Sequence, residues 1–196
     1  MSFWFILSLV GLIAVVPLHF LSVEHGKLDS RYGKERGFKI GATLGMVSGW
    51  GFFLFLFGLW ISPQPTFVIM ILGVIPPGLS LFNVILAIVF LAPGAYLGVK
   101  GVTEMGLKGA ETHRVDKVIT TGIYSRVRHP QYLGAILSHI GASFLLSALY
   151  SILVTPLVIL INYFLCRKEE KELLNEFGDE YQKYQTSVPM LIPLRK

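Results

Sequence analysis

Polar and titratable side chains concentrate in one short stretch of an otherwise apolar chain. Residues 121–134 read TGIYSRVRHPQYLG, and a loop that only joins two helices needs none of this chemistry. The side chains concerned are Tyr124, Arg126, Arg128, His129 and Tyr132. Pro130 suits the first turn of a helix. His129 therefore lies at a predicted helix start, where unpaired N–H groups and the helix dipole attract anions.

An acidic pair, Glu169 and Glu170, follows about forty residues later. Charged neighbours surround it, so by itself it could be a solvated helix face. Between the two motifs lie two apolar runs, 132–149 and 150–166, and only residues 147–150 could form a turn. This pattern predicts a tight antiparallel helical hairpin. Because the two open ends of such a hairpin are neighbours, we expect His129, Tyr132 and the acidic pair to meet.

The composition of the whole chain indicates a membrane protein. Its 196 residues are 53% hydrophobic with a mean hydropathy of +0.63, too apolar for an ordinary soluble domain. Three uncharged runs, 3–23, 41–61 and 79–99, are each long enough to span a bilayer as a helix. The apolar run 66–75 is too short and is predicted to be interfacial or re-entrant. We read the N-terminal run as a retained helix and not a signal peptide.

These runs and the hairpin predict an all-α integral membrane protein with five transmembrane helices. We expect one membrane domain over residues 1–196. Within it, 1–99 supplies three N-terminal transmembrane helices. Residues 100–196 form a catalytic half with the cofactor-binding segment, the hairpin and a charged tail. Gly178 is expected to break the tail helix, since glycine favours helix ends.

Charge distribution predicts the orientation. The 17 Lys and Arg residues fall into three groups, in 27–39, in 100–128 and from 167 onward. The positive-inside rule puts these segments in the cytoplasm, with the N-terminus outside and the C-terminus inside. The same topology explains a pI near 9.4 without nucleic acid as a partner.

The sequence lacks the motifs of several common binding and catalytic sites. The five histidines have no metal-ligand spacing and Cys166 is the single cysteine, so we expect no metal site. The chain has no Gly-rich dinucleotide fingerprint after a strand, which excludes a Rossmann fold. Nothing in it reads as a Ser-His-Asp arrangement.

Four motifs in order carry a family resemblance. They are Gly122-Ile123-Tyr124, Arg128-His129-Pro130-Gln131-Tyr132, Glu169-Glu170 and Phe177-Gly178-Asp179-Glu180-Tyr181. Together they resemble the isoprenylcysteine carboxyl methyltransferases, a group that also includes phospholipid N-methyltransferases and prokaryotic membrane relatives. The resemblance covers about residues 100–190. It implies a cytoplasmic pocket for S-adenosylmethionine.

The resemblance implies which residues bind the cofactor. Six match family motif positions: Tyr124, His129, Pro130, Gln131, Tyr132 and Glu169. Four more match only by their distance from these motifs: Asp116, Lys117, Val118 and Ile119. The physical chemistry agrees, because a carboxylate and aromatic faces favour the sulfonium and ammonium charges of S-adenosylmethionine.

The resemblance implies a lipophilic acceptor that enters from the bilayer, first of all the carboxylate of a prenylated cysteine on a small molecule or protein C-terminus. A carboxylate is already ionised at neutral pH, so orientation and desolvation of the acceptor would suffice for catalysis and no general base would be needed. The family places an arginine just before the acidic pair, but Leu165 stands at that offset. Arg167 and Arg128 are the substrate-orienting candidates.

Two alternatives stay open. An amine N-methyltransferase acting on phospholipid head groups would need a base such as His129 or Glu170. A small membrane transporter would be no enzyme, although its polar groups should then follow a path through mid-membrane. We expect no partner other than the bilayer and the lipophilic substrate; no obligate protein partner is evident.

Overall fold

A computed structural model describes residues 1–75, 79–112 and 114–192. Within those ranges the chain is mostly helical, with one small antiparallel ladder. The helices are α1 (Phe3–Ser22), α2 (His25–Tyr32), α3 (Lys34–Ile61), α4 (Leu81–Met105), α5 (Leu107–Thr112), α6 (Pro130–Leu145), α7 (Leu149–Phe177) and α8 (Asp179–Ser187). The ladder pairs β1 (Val74–Ile75) with β2 (Leu79–Ser80), in the register Val74–Ser80 and Ile75–Leu79.

Four helices, α1, α3, α4 and α7, are long and apolar enough to cross a membrane. The fifth predicted crossing is α6, which has 16 residues. At 1.5 Å per residue it extends about 24 Å, less than the hydrocarbon thickness of about 30 Å. The described chain thus supports an integral membrane protein with four candidate spans, and the fifth crossing stays a prediction.

The C-terminal hairpin forms with different boundaries from those predicted. Its turn lies at 146–148, and Ser147 there has a positive φ of 50°. The predicted second hairpin helix and the charged tail helix are one continuous helix, α7, because the chain carries no breaker between them. Gly178 does end it, with φ of 52°, as the sequence predicted.

Two glycines let α4 and α6 pack closely. A Cβ added at Gly134 would lie 2.7 Å from the Gly94 carbonyl oxygen and 2.8 Å from the Gly98 nitrogen. A Cβ at Gly141 would meet the Leu91 nitrogen at 2.8 Å. Such small residues allow helix backbones to approach in a membrane, where packing replaces the hydrophobic effect. This seam fixes α6, and with it His129, relative to α4.

The other half of the molecule packs α1 and α3 against α7. Its buried core includes Phe5, Leu12, Leu56, Leu59 and Val158. A polar bridge ties this half to α6. Trp60 Nε1 donates to His139 Nδ1 at 3.0 Å, and His139 Nε2 donates to the Ser151 carbonyl at 3.1 Å. Both nitrogens of this fully buried histidine are therefore satisfied, which explains its presence inside an apolar helix.

Charged and uncharged connections lie at opposite ends of the helices. At one end, Arg114 forms a two-pronged ion pair with Asp29, and Lys168 contacts Glu24 at 2.7 Å. At the other end, the Phe67 N–H donates to the Ser147 carbonyl at 3.0 Å. The three charged segments of the sequence therefore meet at a single end, here called the charged end. Its assignment to the cytoplasm stays a prediction.

The glycine seam can be tested with matched substitutions. Gly134→Ala should destabilise the protein by about 1–3 kcal/mol, because the added methyl meets backbone atoms that cannot move aside. Gly98→Ala should be neutral or slightly stabilising, because nothing lies within 4 Å of its added Cβ and alanine favours helix. Thermal unfolding in detergent measures both. Equal melting temperatures for the two variants would contradict the seam.

The orientation can be tested by labelling single cysteines from one side of sealed vesicles. Thr66→Cys and Lys117→Cys, each in a Cys166→Ser background, introduce thiols at exposed positions. Residue 66 lies at the uncharged end and residue 117 in the segment of the charged end. A membrane-impermeant maleimide should therefore label only one of them. Labelling of both from the same side would overturn the topology.

Candidate functional site

The segment before α6 is held in place by hydrogen bonds to its neighbours. Gly122 takes a φ of 59°, which favours glycine, and the Ile123 N–H donates to Glu104 Oε2 at 2.7 Å. The Tyr124 hydroxyl donates to the Gly101 carbonyl at 3.0 Å. Burial raises the pKa of Tyr124 to about 12. Tyr124 therefore stays neutral and acts as a fixed hydrogen-bonding group.

His129 caps the start of α6 and lies between two adjacent carboxylates of α7. Its Nδ1 is 3.5 Å from Glu169 Oε2, and its Nε2 is 3.2 Å from Glu170 Oε1. Burial acts to lower the pKa of His129, but the Cys166 sulfur and the two carboxylates outweigh it and raise that pKa well above its usual value. Because both ring nitrogens face carboxylates, this arrangement favours the imidazole that carries both protons.

Glu170 is the structural member of the acidic pair. It is 2% exposed and accepts from Arg128 Nε at 2.6 Å, from His129, and from Gln185 Nε2 at 2.8 Å. Arg128 also donates to the Gln185 and Val188 carbonyls. The Arg128 and His129 N–H groups donate to the Pro189 and Met190 carbonyls at 3.0 and 3.1 Å. This cluster fastens the C-terminal segment to the start of α6.

These bonds change two expectations for the helix start. The predicted anion site would have used the His129 N–H, but Met190 accepts from it. Arg128 was a candidate for orienting the substrate; it lines a cavity at this site, but its side chain is 8% exposed and already bonds to Glu170 and two carbonyls. Sequence reasoning could not find these contacts, because the non-helical segment 188–190 meets the start of α6 only through tertiary packing, with Arg128 and Val188 60 positions apart in the chain.

Glu169 is the member of the pair that faces open space. The Tyr132 hydroxyl donates to Glu169 Oε1, and His19 Nε2 lies 3.2 Å from the same oxygen. His19 Nε2 is also 3.0 Å from the Tyr132 hydroxyl. The sequence analysis assigned no role to His19, although a histidine inside an uncharged spanning run was a signal. These three side chains come from α1, α6 and α7.

Two cavities meet at this group. The first, here called the polar cavity, opens at the charged end, and its space of about 630 Å³ between atoms includes the open solvent at its mouth. Its walls include Tyr124, His129, Pro130, Gln131, Tyr132 and Glu169. All six were predicted cofactor-binding residues, and the fold brings them together around one space.

The second, here called the apolar cavity, lies deeper between α1, α3, α6 and α7, with about 610 Å³ of empty space. Most of its wall is apolar, for example Val15, Phe52, Ala135 and Leu165. His19 and Asn162 also line it, and it shares Gln131 and Tyr132 with the polar cavity. The two cavities are therefore adjacent, with Tyr132 and Gln131 between them.

Other predicted site residues lie apart from this group. Val118 and Ile119 line a smaller pocket beside Tyr124 and Glu169. Asp116 and Lys117 are exposed, and Val115 instead faces the polar cavity. Arg167 is exposed and does not line either cavity. Sequence reasoning also missed Glu172, Leu173 and Glu176, which line the polar cavity at helical spacing after Glu169.

Comparison with known proteins identifies similar sequences over the part of the chain that carries this site. The family described as phospholipid methyltransferase matches residues 82–180. The protein-S-isoprenylcysteine O-methyltransferase of Schizosaccharomyces pombe is 35% identical over 115 residues, which are 55% of this chain and 48% of the yeast protein. No solved structure matches the chain significantly.

Other relatives carry two different names. Methanethiol S-methyltransferase 1 of Bradyrhizobium diazoefficiens is 37% identical over 98 residues, covering 46% of this chain and 33% of that protein. The protein-S-isoprenylcysteine O-methyltransferase of Mus musculus is 34% identical over 89 residues, covering 44% and 30%. The chain thus spans half or less of the length of these relatives. The isoprenylcysteine names agree with the resemblance found in the sequence, whereas methanethiol as an acceptor was not part of it.

The buried ion pair can be tested against a neighbouring exposed arginine. Arg128→Met should destabilise the protein by about 3–5 kcal/mol, because it leaves the Glu170 carboxylate buried without its cation. Arg126→Met should change stability by less than about 0.5 kcal/mol, because Arg126 is exposed. Thermal unfolding followed by circular dichroism measures both. Similar melting temperatures for the two variants would refute the structural role of Arg128.

Proposed function

The chain belongs to the phospholipid methyltransferase family, and from this membership we propose that it transfers a methyl group from S-adenosylmethionine to a lipophilic acceptor in the membrane. The single observation that carries the proposal is the adjacency of the polar and apolar cavities at Tyr132 and Gln131. In this proposal a water-soluble cofactor would occupy the first cavity and a lipophilic acceptor the second. The reacting atoms would then meet at their junction.

The matched segment supports the cofactor side of this proposal most directly. Residues 82–180 include α4 except its first residue, all of α6 and α7, and both motifs of the polar cavity. They leave out α1 and α3, which supply much of the apolar cavity. Because the chain also spans half or less of its relatives, the acceptor is proposed here from the chemistry of this chain.

The side chains around the polar cavity suit the charges and the adenosine of S-adenosylmethionine. The Glu169 carboxylate would attract its ammonium or sulfonium charge, and the Tyr124 and Tyr132 rings offer faces for a cation. The hydrophobic side chains of Met105, Val115 and Leu173 offer an apolar surface for its adenosine. When bound, S-adenosylmethionine supplies an electrophilic methyl group.

The residues of the chain would act by orientation and by excluding water. Tyr132 and Gln131 line both cavities, so they can hold the methyl donor and the methyl acceptor in line. The apolar walls contributed by Phe52 and Leu165 would strip water from the acceptor. His129 stays fixed between its carboxylates and is therefore a support for Glu169, not an acid or base.

Two acceptor groups remain in view. The sequence resemblance predicts the carboxylate of a prenylated cysteine, and two of the relatives cited above carry isoprenylcysteine in their names. The second candidate is an acceptor that carries a proton, such as a thiol. One observation favours it: the described lining of the apolar cavity, where Leu165 stands at the offset of the family's arginine, contains no Lys or Arg.

Cofactor binding tests the proposal first. The purified protein should bind S-adenosylhomocysteine in titration calorimetry, and Glu169→Gln should weaken the binding by at least about tenfold, because it removes a partly buried partner of the ligand's charge. Glu180→Gln, on the exposed surface of α8, is the matched control and should bind normally. Absence of binding, or equal weakening by the two substitutions, would sink the assignment.

A further inference from the structure

The charge inventory of the apolar cavity limits what it can hold. Its lining in the described part of the chain contains no lysine or arginine, and its polar side chains include His19, Asn162, Gln131 and Tyr132. The Glu169 carboxylate contacts both His19 and Tyr132. The cationic side chains of the adjoining polar cavity, Arg128 and His129, are already paired with Glu170 and Glu169. An anionic acceptor in the apolar cavity would therefore have no lysine or arginine of the described lining to pair with.

Desolvation ranks the candidate acceptors. A carboxylate and an aliphatic amine are both ionised at neutral pH, with ordinary pKa values of about 4 and about 10.4. Moving either charge into apolar surroundings without a partner is unfavourable. A thiol has an ordinary pKa of about 8.5 and enters as the neutral, weakly hydrogen-bonding group. It is the nucleophile that this cavity accepts most easily.

A neutral thiol must lose its proton to become an effective nucleophile, and the junction holds groups that can take it. The Tyr132 hydroxyl is 3.0 Å from His19 Nε2 and also bonds to Glu169 Oε1. His19 Nε2 lies 3.2 Å from that carboxylate oxygen. Glu169 Oε1 is within reach of both His19 and Tyr132, so a proton released through Tyr132 would be held by Glu169 together with His19. His129 cannot serve, since both its nitrogens face carboxylates.

We propose that the acceptor is a lipophilic thiol and that His19, together with Tyr132 and Glu169, removes its proton during methyl transfer. This inference rests on the proposed function and names its acceptor. It assigns a role to α1, the helix that lies outside the family match. It also explains why a histidine, which is costly inside an apolar helix, faces the apolar cavity one helical turn before the end of α1.

Atoms and electrons balance in this step. The S–H bond of the acceptor breaks as the thiol sulfur forms its new bond to the methyl carbon. The bond between that carbon and the sulfonium of the cofactor breaks, and its electron pair neutralises the sulfonium. The thiol proton passes to the Tyr132 oxygen while the Tyr132 proton passes to the His19–Glu169 pair. The proton is returned to water after the thioether leaves.

Acceptors of different acidity test the proposal. The full-length protein in detergent would be saturated with labelled S-adenosylmethionine and given a long-chain alkyl thiol or a lipophilic aryl thiol acidic enough to ionise in water. His19→Gln should slow single-turnover methylation of the alkyl thiol by about 100-fold and that of the aryl thiol by less than about threefold, because only the first needs the base. Binding of S-adenosylhomocysteine should weaken much less than in Glu169→Gln, since His19 contacts Glu169 but does not line the polar cavity, and the rates are compared at saturating cofactor.

Two further variants separate proton transfer from packing. Tyr132→Phe should reproduce the dependence on acceptor acidity, because it removes the path of the proton. His139→Gln replaces another buried histidine of the membrane region and should affect both thiols to the same degree, because its nitrogens are used between helices. A His19→Gln variant that slows both thiols equally would overturn the role of His19.

The acceptor class is decided by the wild-type protein. Methylation of a farnesylated cysteine carboxylate, or of phosphatidylethanolamine, without methylation of either thiol would overturn this inference and leave the proposed function standing. Failure to bind S-adenosylhomocysteine and to methylate any of the four acceptors would overturn both. Methylation of the alkyl thiol that depends on His19 as described would support the inference.

Discussion

The site depends on one buried contact, the imidazole of His129 between the Glu169 and Glu170 carboxylates. Neighbours in sequence on one helix point in different directions, so the two carboxylates cannot share a role. Glu170 faces inward to Arg128 and Gln185 and fastens the C-terminal segment. Glu169 faces the junction of the two cavities. The His129 ring contacts one oxygen of each carboxylate. The contact that fastens Glu170 therefore also positions Glu169.

Helix packing in the membrane determines whether this contact can form. His129 precedes the first turn of α6, and α6 is held against α4 by backbone contacts at Gly134 and Gly141. The acidic pair is carried on α7, which α6 meets through the short turn at 146–148 and through the His139 bridge to Ser151. Errors in either packing would separate charges that are costly to leave unpaired in an apolar region. Apolar packing and buried ion pairs therefore favour the same arrangement.

The polar and apolar cavities are lined by different parts of the chain. The second half of the chain supplies most of the polar cavity, and the family match falls there. The apolar cavity draws on α1 and α3 as well. Under the proposed function, a shared cofactor cavity would be combined with different acceptor cavities through the N-terminal helices. His19 illustrates the point, because it reaches Glu169 from a helix for which the family motifs predict nothing.

Amino-acid sequence by itself determined the membrane class, the hairpin, the break at Gly178 and the meeting of His129, Tyr132 and Glu169. These follow from hydrophobic run length, charge position and chain connectivity, which are local or nearly local properties. Only the tertiary structure decided that Arg128 bonds to Glu170 and two carbonyls, that Met190 accepts from the His129 N–H, and that His19 contacts Glu169 across 150 residues. Such contacts depend on how helices rotate and pack against one another, and hydrophobic patterns carry little information about rotation when a helix is apolar on every side.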